Sequence, residues 1–350
     1  MSTSLADSTP RFRSTESAAT ARLRRTYRVL TGNAAGTSEK RNAVHLIITD
    51  RRHLANDVVE FTLRRPDGAR LPDWSPGAHI DVILPDGTTR QYSLCGDRWD
   101  AHTYGIAVQR EDAGRGGSVA LHNMPVGSTV GFGGPRNNFR LAPAARYLFI
   151  AGGIGVTPIL PMVRQADLLG IDWRLLYLGR SRSALAYRDE LAPFEGRVSL
   201  HCADEAGRAM LEEWRPADAE TRVYACGPTR LLDAVEEWDA APGGFAPKTE
   251  RFAASTPPPS TTIKFDVVAS RSGASTTVRA EETVTAALRR IGVEVLTSCA
   301  QGVCGTCETD VLSGRPEHRD SLLDDAERSA ASCMFPCVSR SLDARLVLDL

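Results

Sequence analysis

The stretch SCAQGVCGTCETDVLSG, from Ser298 to Gly314, contains three cysteines in the pattern C-x4-C-x2-C. They are Cys299, Cys304 and Cys307, and Cys337 follows thirty residues after the last of them. Three ligands in one loop and a distant fourth are typical of plant-type [2Fe-2S] centres. We therefore expect an iron–sulfur cluster in the C-terminal part of the chain.

Two alternatives remain open at this cysteine loop. Four thiolates would also suit zinc, although zinc motifs generally pair two short cysteine knuckles. Cys333 lies close to Cys337, so the residues alone do not decide which of the two is the fourth ligand. Gly302 and Gly305 would let the loop adopt positive φ and bring amide N–H groups close to the sulfur atoms.

The cysteine loop falls in the last of three predicted domains. The run STPPPST at residues 255–261 indicates a stiff linker. Residues 262–350 after it predict an α+β, β-grasp-like ferredoxin domain, with a helix from Thr283 to Arg290 that Gly292 ends.

Two further domains are predicted before the linker. Residues 144–254 alternate short apolar runs with helical stretches, which favours an α/β domain with a parallel sheet of about five strands. Residues 43–143 alternate apolar with polar positions, which is typical of an antiparallel β-barrel. Residues 1–42 are rich in Ser, Thr, Ala and Arg and indicate a flexible extension.

The α/β segment contains the motifs expected of a nicotinamide nucleotide site. AGGIGVTPIL, Ala151 to Leu160, follows the strand RYLFI, and such a turn exposes N–H groups to a pyrophosphate. Thr157 is expected to cap the following helix and Pro158 to occupy its first turn. A plain βα turn is the alternative. The expected nucleotide-binding residues are Gly152, Gly153, Gly155, Thr157, Pro158, Arg180, Ser181, Arg182, Cys226, Gly227 and Pro228.

The choice between NADH and NADPH stays open. An acidic residue after the second strand would favour NADH by binding the ribose hydroxyls. Ser181 and Arg182 occupy that neighbourhood, and a guanidinium there could hold a 2′-phosphate.

The barrel segment contains a candidate flavin site. RQYSL, Arg90 to Leu94, supplies a cation, a ring and a hydroxyl, and GRGGS, Gly114 to Ser118, supplies a second phosphate-binding turn. A flavin is also required chemically, because a nicotinamide delivers two electrons and a [2Fe-2S] centre accepts one. The expected flavin-binding residues are Arg90, Tyr92, Ser93, Leu94, Gly116, Gly117 and Ser118.

Composition excludes several other functions. The 350 residues carry a formal net charge of −1 with a pI of about 6.7, so no overall positive field attracts nucleic acid or an anionic membrane. No apolar run approaches the roughly 20 residues of a membrane span, and we expect a cytoplasmic protein. Acidic residues near the cluster could steer a basic partner, or could simply be solvated: Glu308, Asp310, Glu317, Asp324 and Asp325.

Taken together, these motifs resemble the phthalate dioxygenase reductase family. They include PRNNF at 135–139, ERF at 250–252 and PCVSR at 336–340, in addition to the strings above. The chain is also similar to the reductase portion of self-sufficient P450 enzymes. The resemblance covers about residues 45–350, with the flavin, nucleotide and ferredoxin domains in the same order.

The resemblance implies a path from NADH or NADPH through FMN, with FAD as the less favoured flavin, to a [2Fe-2S] cluster. It places Phe252 near the flavin, Thr157 and Cys226 near the nicotinamide, and Cys337 as the fourth iron ligand. Ser93, Thr157, Cys226 and Phe252 are thus the expected catalytic residues. We expect a monomer and a separately encoded oxygenase or P450 as acceptor, since no oxygenase domain is recognised. The alternatives are a redox-sensing flavo-iron–sulfur protein and a zinc-stabilised flavoprotein.

Overall fold

The computed structural model describes most of the chain, namely residues 45–238, 243–253, 263–323 and 325–350, without the side chains of residues 325 and 326. The expected N-terminal extension and the expected linker both lie outside the described residues, as do Asp324 and the side chain of Asp325. None of the helices in these ranges has the length and apolar character that crossing a membrane requires.

The first sheet has six antiparallel strands in the order β4-β3-β6-β1-β2-β5. Alternate residues face its core, as Phe61 and Leu63 do. Leu94, directly after β4, forms an isolated bridge with Ile106 of β5. The elements are β1 (His45–Ala55), β2 (Val58–Arg64), β3 (His79–Ile83), β4 (Thr89–Ser93), β5 (Thr103–Gln109), α1 (Gly117–Asn123) and β6 (Thr129–Arg136).

The second sheet has five parallel strands in the order β11-β10-β7-β8-β9, which confirms the predicted parallel sheet. Its central strand RYLFIAG is buried almost throughout, as expected for a strand covered on both faces. The strands are β7 (Arg146–Gly152), β8 (Asp172–Gly179), β9 (Val198–Cys202), β10 (Thr221–Cys226) and β11 (Lys248–Glu250). The helices are α2 (Val156–Leu168), α3 (Arg188–Leu191), α4 (Ala203–Ala206) and α5 (Thr229–Glu236).

The expectation that Thr157 caps helix α2 is wrong. A 3-10 turn, Gly153–Gly155, leads directly into the helix, and Gly155 is the capping residue, without a side-chain bond. Thr157 therefore already lies inside the first turn, where its hydroxyl donates a 3.0 Å hydrogen bond to the carbonyl of Ile154. Pro158 occupies the first turn as predicted.

The third part of the chain has a mixed sheet in the order β13-β12-β18-β14-β16 and a small β15-β17 pair. β12 and β18 run parallel, and the other pairs are antiparallel. The predicted helix is present, and Thr283 Oγ1 accepts a hydrogen bond from the Ala286 N–H at 3.1 Å. The elements are β12 (Phe265–Ala269), β13 (Ser275–Val278), α6 (Val284–Arg290), β14 (Thr309–Ser313), β15 (Pro316–Glu317), α7 (Asp325–Ala330), β16 (Cys333–Met334), β17 (Arg340–Ser341) and β18 (Arg345–Leu348).

The sheets are joined in two different ways. Residues of the first sheet such as Val58 and Ala107 belong to the same apolar core as Phe149 of the second sheet. The third sheet has a separate core that includes Val267 and Leu288. The first two sheets therefore share buried surface, whereas the third meets the first through polar contacts.

Candidate active site

One cavity is lined by all three parts of the chain. The first sheet contributes Arg90, Tyr92 and Ser93 of the RQYSL motif, and the residues after β11 contribute Phe252. Cys299 lines the same cavity, together with its loop neighbours Gln301 and Val303. The expected flavin-binding strand and the expected cluster loop are therefore separated only by this cavity.

The GRGGS turn packs directly on the RQYSL strand. Arg90 Nη2 donates a hydrogen bond to the carbonyl of Arg115 at 2.8 Å. A Cβ on Gly117 would lie 2.4 Å from Arg90 Nε, so a larger residue there would displace the Arg90 side chain. Ser118 Oγ accepts a 3.0 Å hydrogen bond from a backbone N–H outside the turn. Leu94 is fully buried in the core of the first sheet instead of lining the cavity.

His79 lines the cavity but was not predicted from the sequence. It lies on β3 opposite Ser93 and is 5 % exposed. Burial, reinforced by the guanidinium of Arg136, lowers its pKa to about 4, so the ring is neutral at physiological pH. His79 Nε2 is buried and has no hydrogen-bond partner within the described part of the chain. An orphaned polar atom beside Arg90 and Tyr92 fits a polar ligand such as a flavin.

Glu250 begins the ERF motif, but the sequence did not assign it a role in the site. It stands opposite Cys226 in the β10–β11 pair and also lines the cavity. Its Oε2 atom is buried without a partner among the described residues, and burial raises the pKa of its carboxyl to about 8. Burial, with a smaller contribution from Glu250, raises the pKa of the Cys226 thiol well above its usual range. Both groups are therefore largely protonated at neutral pH.

The two predicted nucleotide turns lie against each other. A Cβ on Gly155 would be 2.2 Å from the carbonyl oxygen of Cys226, and one on Gly152 would be 2.7 Å from Pro228 Cδ. Both turns follow adjacent central strands, where connections leave the sheet in opposite directions, and this is where α/β sheets bind nucleotides. Thr157 is 2 % exposed and does not line the cavity.

The residues after β8 lie on the neighbouring edge of this sheet. Arg180 is exposed, and Ser181 Oγ lies 3.0 Å from Ser183 Oγ. Arg182 Nε pairs with Glu205 Oε1 at 2.9 Å. No sequence motif connects Glu205 with Arg182, because the two residues follow different strands.

The four expected iron ligands come together. Cys299, Cys304, Cys307 and Cys337 are all at most 7 % exposed, and they interact as the pairs Cys299–Cys304 and Cys307–Cys337. The Cys299 thiol holds the pKa of Cys304 down at about 5, because it donates to the thiolate. Cys333 lies on β16 opposite Asp310. Four clustered buried sulfurs suit a [2Fe-2S] cluster.

Backbone N–H groups of the cysteine loop point at these sulfurs. Gln301 N–H donates to Cys299 Sγ at 3.2 Å, and Thr306 N–H donates to Cys304 Sγ at 3.4 Å. Gly302 has a φ of 71°, and its N–H favours the thiolate form of Cys337. These donors would stabilise the negative charge of a reduced cluster.

The cysteine loop is tied to the first sheet at two points. Ser298 Oγ donates a 2.6 Å hydrogen bond to Asp81 Oδ1, and Asp81 also pairs with Arg136 at 2.6 Å. Asn138 Nδ2, in the PRNNF motif, donates to the carbonyl of Cys304 at 3.0 Å. These contacts hold the loop at the wall of the cavity.

Comparison with known proteins assigns the family. The family model of the 2Fe-2S iron–sulfur cluster binding domain matches residues 267–341. Phthalate dioxygenase reductase of Burkholderia cepacia is 36 % identical over 329 residues, which cover 90 % of this chain and 99 % of that protein. The chain belongs to the phthalate dioxygenase reductase family. It is an NAD(P)H-dependent oxidoreductase with FMN and a [2Fe-2S] cluster.

Two further relatives support membership of the phthalate dioxygenase reductase family. A putative toluene-4-sulfonate monooxygenase system reductase subunit of Comamonas testosteroni is 43 % identical over 307 residues, covering 85 % of this chain and 96 % of that protein. The crystal structure of an intact type IV self-sufficient cytochrome P450 monooxygenase matches 93 % of this chain with a TM-score of 0.81 at 36 % identity. This chain spans 44 % of that protein.

Proposed function

We propose that electrons pass from NAD(P)H to FMN and from FMN to the cluster across the cavity between β4 and the cysteine loop. The observation that carries the proposal is the shared lining, in which Tyr92 and Ser93 face the same space as Cys299. FMN supplies the step between a two-electron donor and a one-electron acceptor. The chain's own contribution is to hold the donor and acceptor sites together.

The flavin site is proposed to be formed by the residues that surround the RQYSL strand. Arg90 and the turn at Gly116, Gly117 and Ser118 would hold the phosphate, because a guanidinium and a glycine turn both favour an anion. Tyr92 would pack against the ring and Ser93 would bond to it. His79 Nε2 would supply a further polar contact to the flavin from β3, since it has no partner among the described residues.

The nicotinamide is proposed to enter between the two nucleotide turns. Phe252 is 42 % exposed at the mouth of the cavity, so the nicotinamide ring could displace it from the flavin. Thr157 and Cys226 would then border the reacting atoms. Glu250 and the Cys226 thiol are both largely protonated at neutral pH, so they would place little charge beside the nicotinamide. The Glu205 carboxylate beside Arg182 favours NADH over NADPH.

We also propose the finer architecture. The bridge from Leu94 to Ile106 supports closure of the first sheet into a β-barrel, and the parallel β12–β18 pair with helix α6 supports a β-grasp arrangement. The proposed domains are residues 43–143, 144–254 and 262–350, with a linker at 255–261. The protein is proposed to be cytoplasmic and monomeric.

The acceptor is proposed to be an oxygenase, either a Rieske-type enzyme or a P450. The relatives named above are reductases of oxygenase systems or part of a P450 monooxygenase. Of the acidic residues considered for steering, Glu317 is paired with Arg319 at 3.0 Å, which reduces its contribution to an outward field.

The proposal is tested by anaerobic purification, followed by FMN, iron and zinc analysis, electron paramagnetic resonance and turnover. We expect one FMN and two irons per chain, a rhombic signal after dithionite, and rapid NADH-driven reduction of ferricyanide and cytochrome c. Zinc in place of iron would reject the electron path in favour of a zinc-stabilised flavoprotein. A loaded protein that does not turn over would instead support a redox sensor.

A further inference from the structure

A buried histidine–aspartate pair lies behind the cysteine loop and plays no part in the function proposed above. The side chains of His318 and Asp320 are 7 % and 0 % exposed, and His318 Nδ1 lies 3.6 Å from Asp320 Oδ1. Neither ring nitrogen of His318 nor Oδ1 of Asp320 has a hydrogen-bond partner among the described residues. Burying such groups costs free energy, so their place calls for a physical explanation.

The segment that contains Asp320 supports the cysteine loop at one residue, Gly302. Ser321 N–H donates a 3.0 Å hydrogen bond to the carbonyl of Gly302. A Cβ on Gly302 would lie 3.1 Å from Asp320 Cα and 2.6 Å from a methyl group of Val338, so the backbones pack closely. The N–H of the same glycine is a hydrogen-bond donor to the sulfur of Cys337. Asp320 is thus packed against the loop residue whose N–H faces a cluster-ligand sulfur.

The carboxylate of Asp320 is buried beside this contact with the cysteine loop. Its Oδ2 accepts hydrogen bonds from Leu322 N–H at 3.1 Å and Leu323 N–H at 3.0 Å. Burial opposes ionisation, but the nearby His318 and the two N–H groups outweigh it and lower the pKa of the carboxyl. The carboxylate is therefore a fixed charge near the place where an electron would be added.

A cation that can compensate the Asp320 charge is bonded to the backbone of the same segment. Arg328 Nη2 donates to the carbonyl of Asp320 at 2.7 Å, and its Nε donates to the carbonyl of Leu323 at 2.9 Å. Arg328 is half-buried. Two charges of opposite sign thus flank one segment, and each is screened less than a solvated charge would be.

We propose that Asp320 is a potential-setting residue, which lowers the reduction potential of the cluster, and that Arg328 partly offsets it. A negative charge disfavours an added electron, because the two repel each other across a region from which water is excluded. The reduced cluster then gives up its electron more readily to the acceptor. This inference rests on the electron path proposed above and on ligation of its cluster by Cys299, Cys304, Cys307 and Cys337.

A purely structural role for Asp320 makes a different prediction. If the carboxylate served only to cap Leu322 and Leu323, then Asp320→Asn would leave the cluster potential unchanged, since the amide oxygen still accepts both bonds. If loosening of the loop shifted the potential, then Asp320→Asn and Arg328→Gln would shift it in the same direction. A charge effect requires opposite directions.

The test is a redox titration of the full-length holoprotein, followed by electron paramagnetic resonance of the cluster. We expect a more positive midpoint potential for Asp320→Asn, a more negative one for Arg328→Gln, and the wild-type value for Asp266→Asn. Asp266 is the matched control, because it is an exposed carboxylate on β12 of the same domain. Iron content is measured in every sample.

The outcomes separate this inference from the proposed function. Wild-type protein without iron or a rhombic signal would reject the iron ligation itself. A normal wild-type signal, with no positive shift in Asp320→Asn relative to Asp266→Asn or with equal signs in both variants, would overturn only the role of Asp320. If Asp320→Asn fails to hold the cluster, Arg328→Gln decides alone, and only a negative shift supports the proposal.

Discussion

The hydroxyl of Tyr187 donates a 2.8 Å hydrogen bond to Glu60 Oε1 and so joins the second sheet to the first. Tyr187 adopts a φ of 59°, in the left-handed region that costs a non-glycine residue roughly 1–2 kcal/mol. Cys95 Sγ lies 3.0 Å from the same hydroxyl, and Arg52 pairs with Glu60 at 2.8 Å. Cys95 is two residues beyond Ser93 of the proposed flavin strand, so we expect this network to align the proposed nucleotide turns with that strand.

Replacing Tyr187 by Phe should therefore destabilise the junction between the first two sheets. The change removes one donor from a largely buried carboxylate, and we expect the free energy of unfolding to fall by about 1–3 kcal/mol. Urea denaturation of protein with equal FMN content measures it. Ser183→Ala is the control, because it removes an exposed contact of the same junction, from Asn56 Nδ2. Equal losses in the two variants would contradict this assignment.

The choice between Cys337 and Cys333 as fourth iron ligand is tested by two matched serine variants. Cys337 interacts with Cys307 in the buried group of four, whereas Cys333 lies on β16 opposite Asp310. We expect Cys337→Ser to lose most of the iron and the rhombic signal, and Cys333→Ser to retain both. Iron analysis and electron paramagnetic resonance provide the measurement. The reverse pattern would transfer the ligand role to Cys333.

Motifs confined to one stretch of sequence were predicted well, and contacts between distant stretches were not. The cysteine spacing and the helix before it, together with the parallel sheet, follow from local pattern. The strand β6, TVGFGGPR, was missed because its three glycines and its proline weaken a strand pattern, although it lies between β3 and β1. Only pairing with its neighbours reveals it.

The site residues missed from the sequence share one cause. His79 lies outside the recognised motifs, and the ERF motif gives no role for Glu250. The importance of both depends on burial beside a cavity that residues more than 200 positions apart create. Neither the loss of solvent around a side chain nor the absence of a partner can be read from the residue type. The same holds for Asp320, which becomes informative only once Gly302 is seen to pack on it.

The buried carboxyl of Glu250 should make stability depend on pH. Its pKa is raised from 4.5 to about 8, so the folded protein binds a proton that the unfolded chain has lost. The contribution of this carboxyl to the free energy of unfolding is fully present below about pH 4.5. It is lost as the pH rises through about 8, and the free energy of unfolding falls by up to a few kcal/mol. Urea denaturation between pH 5 and 8.5 should show this decrease in the wild type relative to Glu250→Gln. Parallel curves for the two proteins would refute it.

Contacts between Ser298 and Asp81 should govern transfer to the cluster without affecting reduction of the flavin. Ser298→Ala removes a 2.6 Å hydrogen bond across the junction, while Asp81 keeps Arg136. Stopped-flow spectroscopy with NADH should show an unchanged rate of flavin bleaching. Cluster reduction should slow severalfold, because the loop that contains Cys299 would be held less closely to the proposed flavin site. Ser272→Ala, a change at an exposed serine of the same domain, is the control. Equal slowing of both steps would speak against a docking role.

Glu205 should limit the use of NADPH through its ion pair with Arg182. The pair holds a carboxylate and a guanidinium 2.9 Å apart after adjacent strands, where the adenosine ribose is expected. Glu205→Gln removes the negative charge and leaves Arg182 available to a 2′-phosphate. Both side chains are largely exposed, so the gain is modest, and we expect kcat/KM for NADPH to rise about two- to fivefold.

The kcat/KM value for NADH should stay level or fall in Glu205→Gln. The gain for NADPH should weaken as salt is added, because exposed charges are screened. Glu213→Gln is a suitable control, since it removes an exposed carboxylate elsewhere in the same domain. A gain for NADPH that both variants share would show that net charge, and not the Arg182 pair, sets the coenzyme preference.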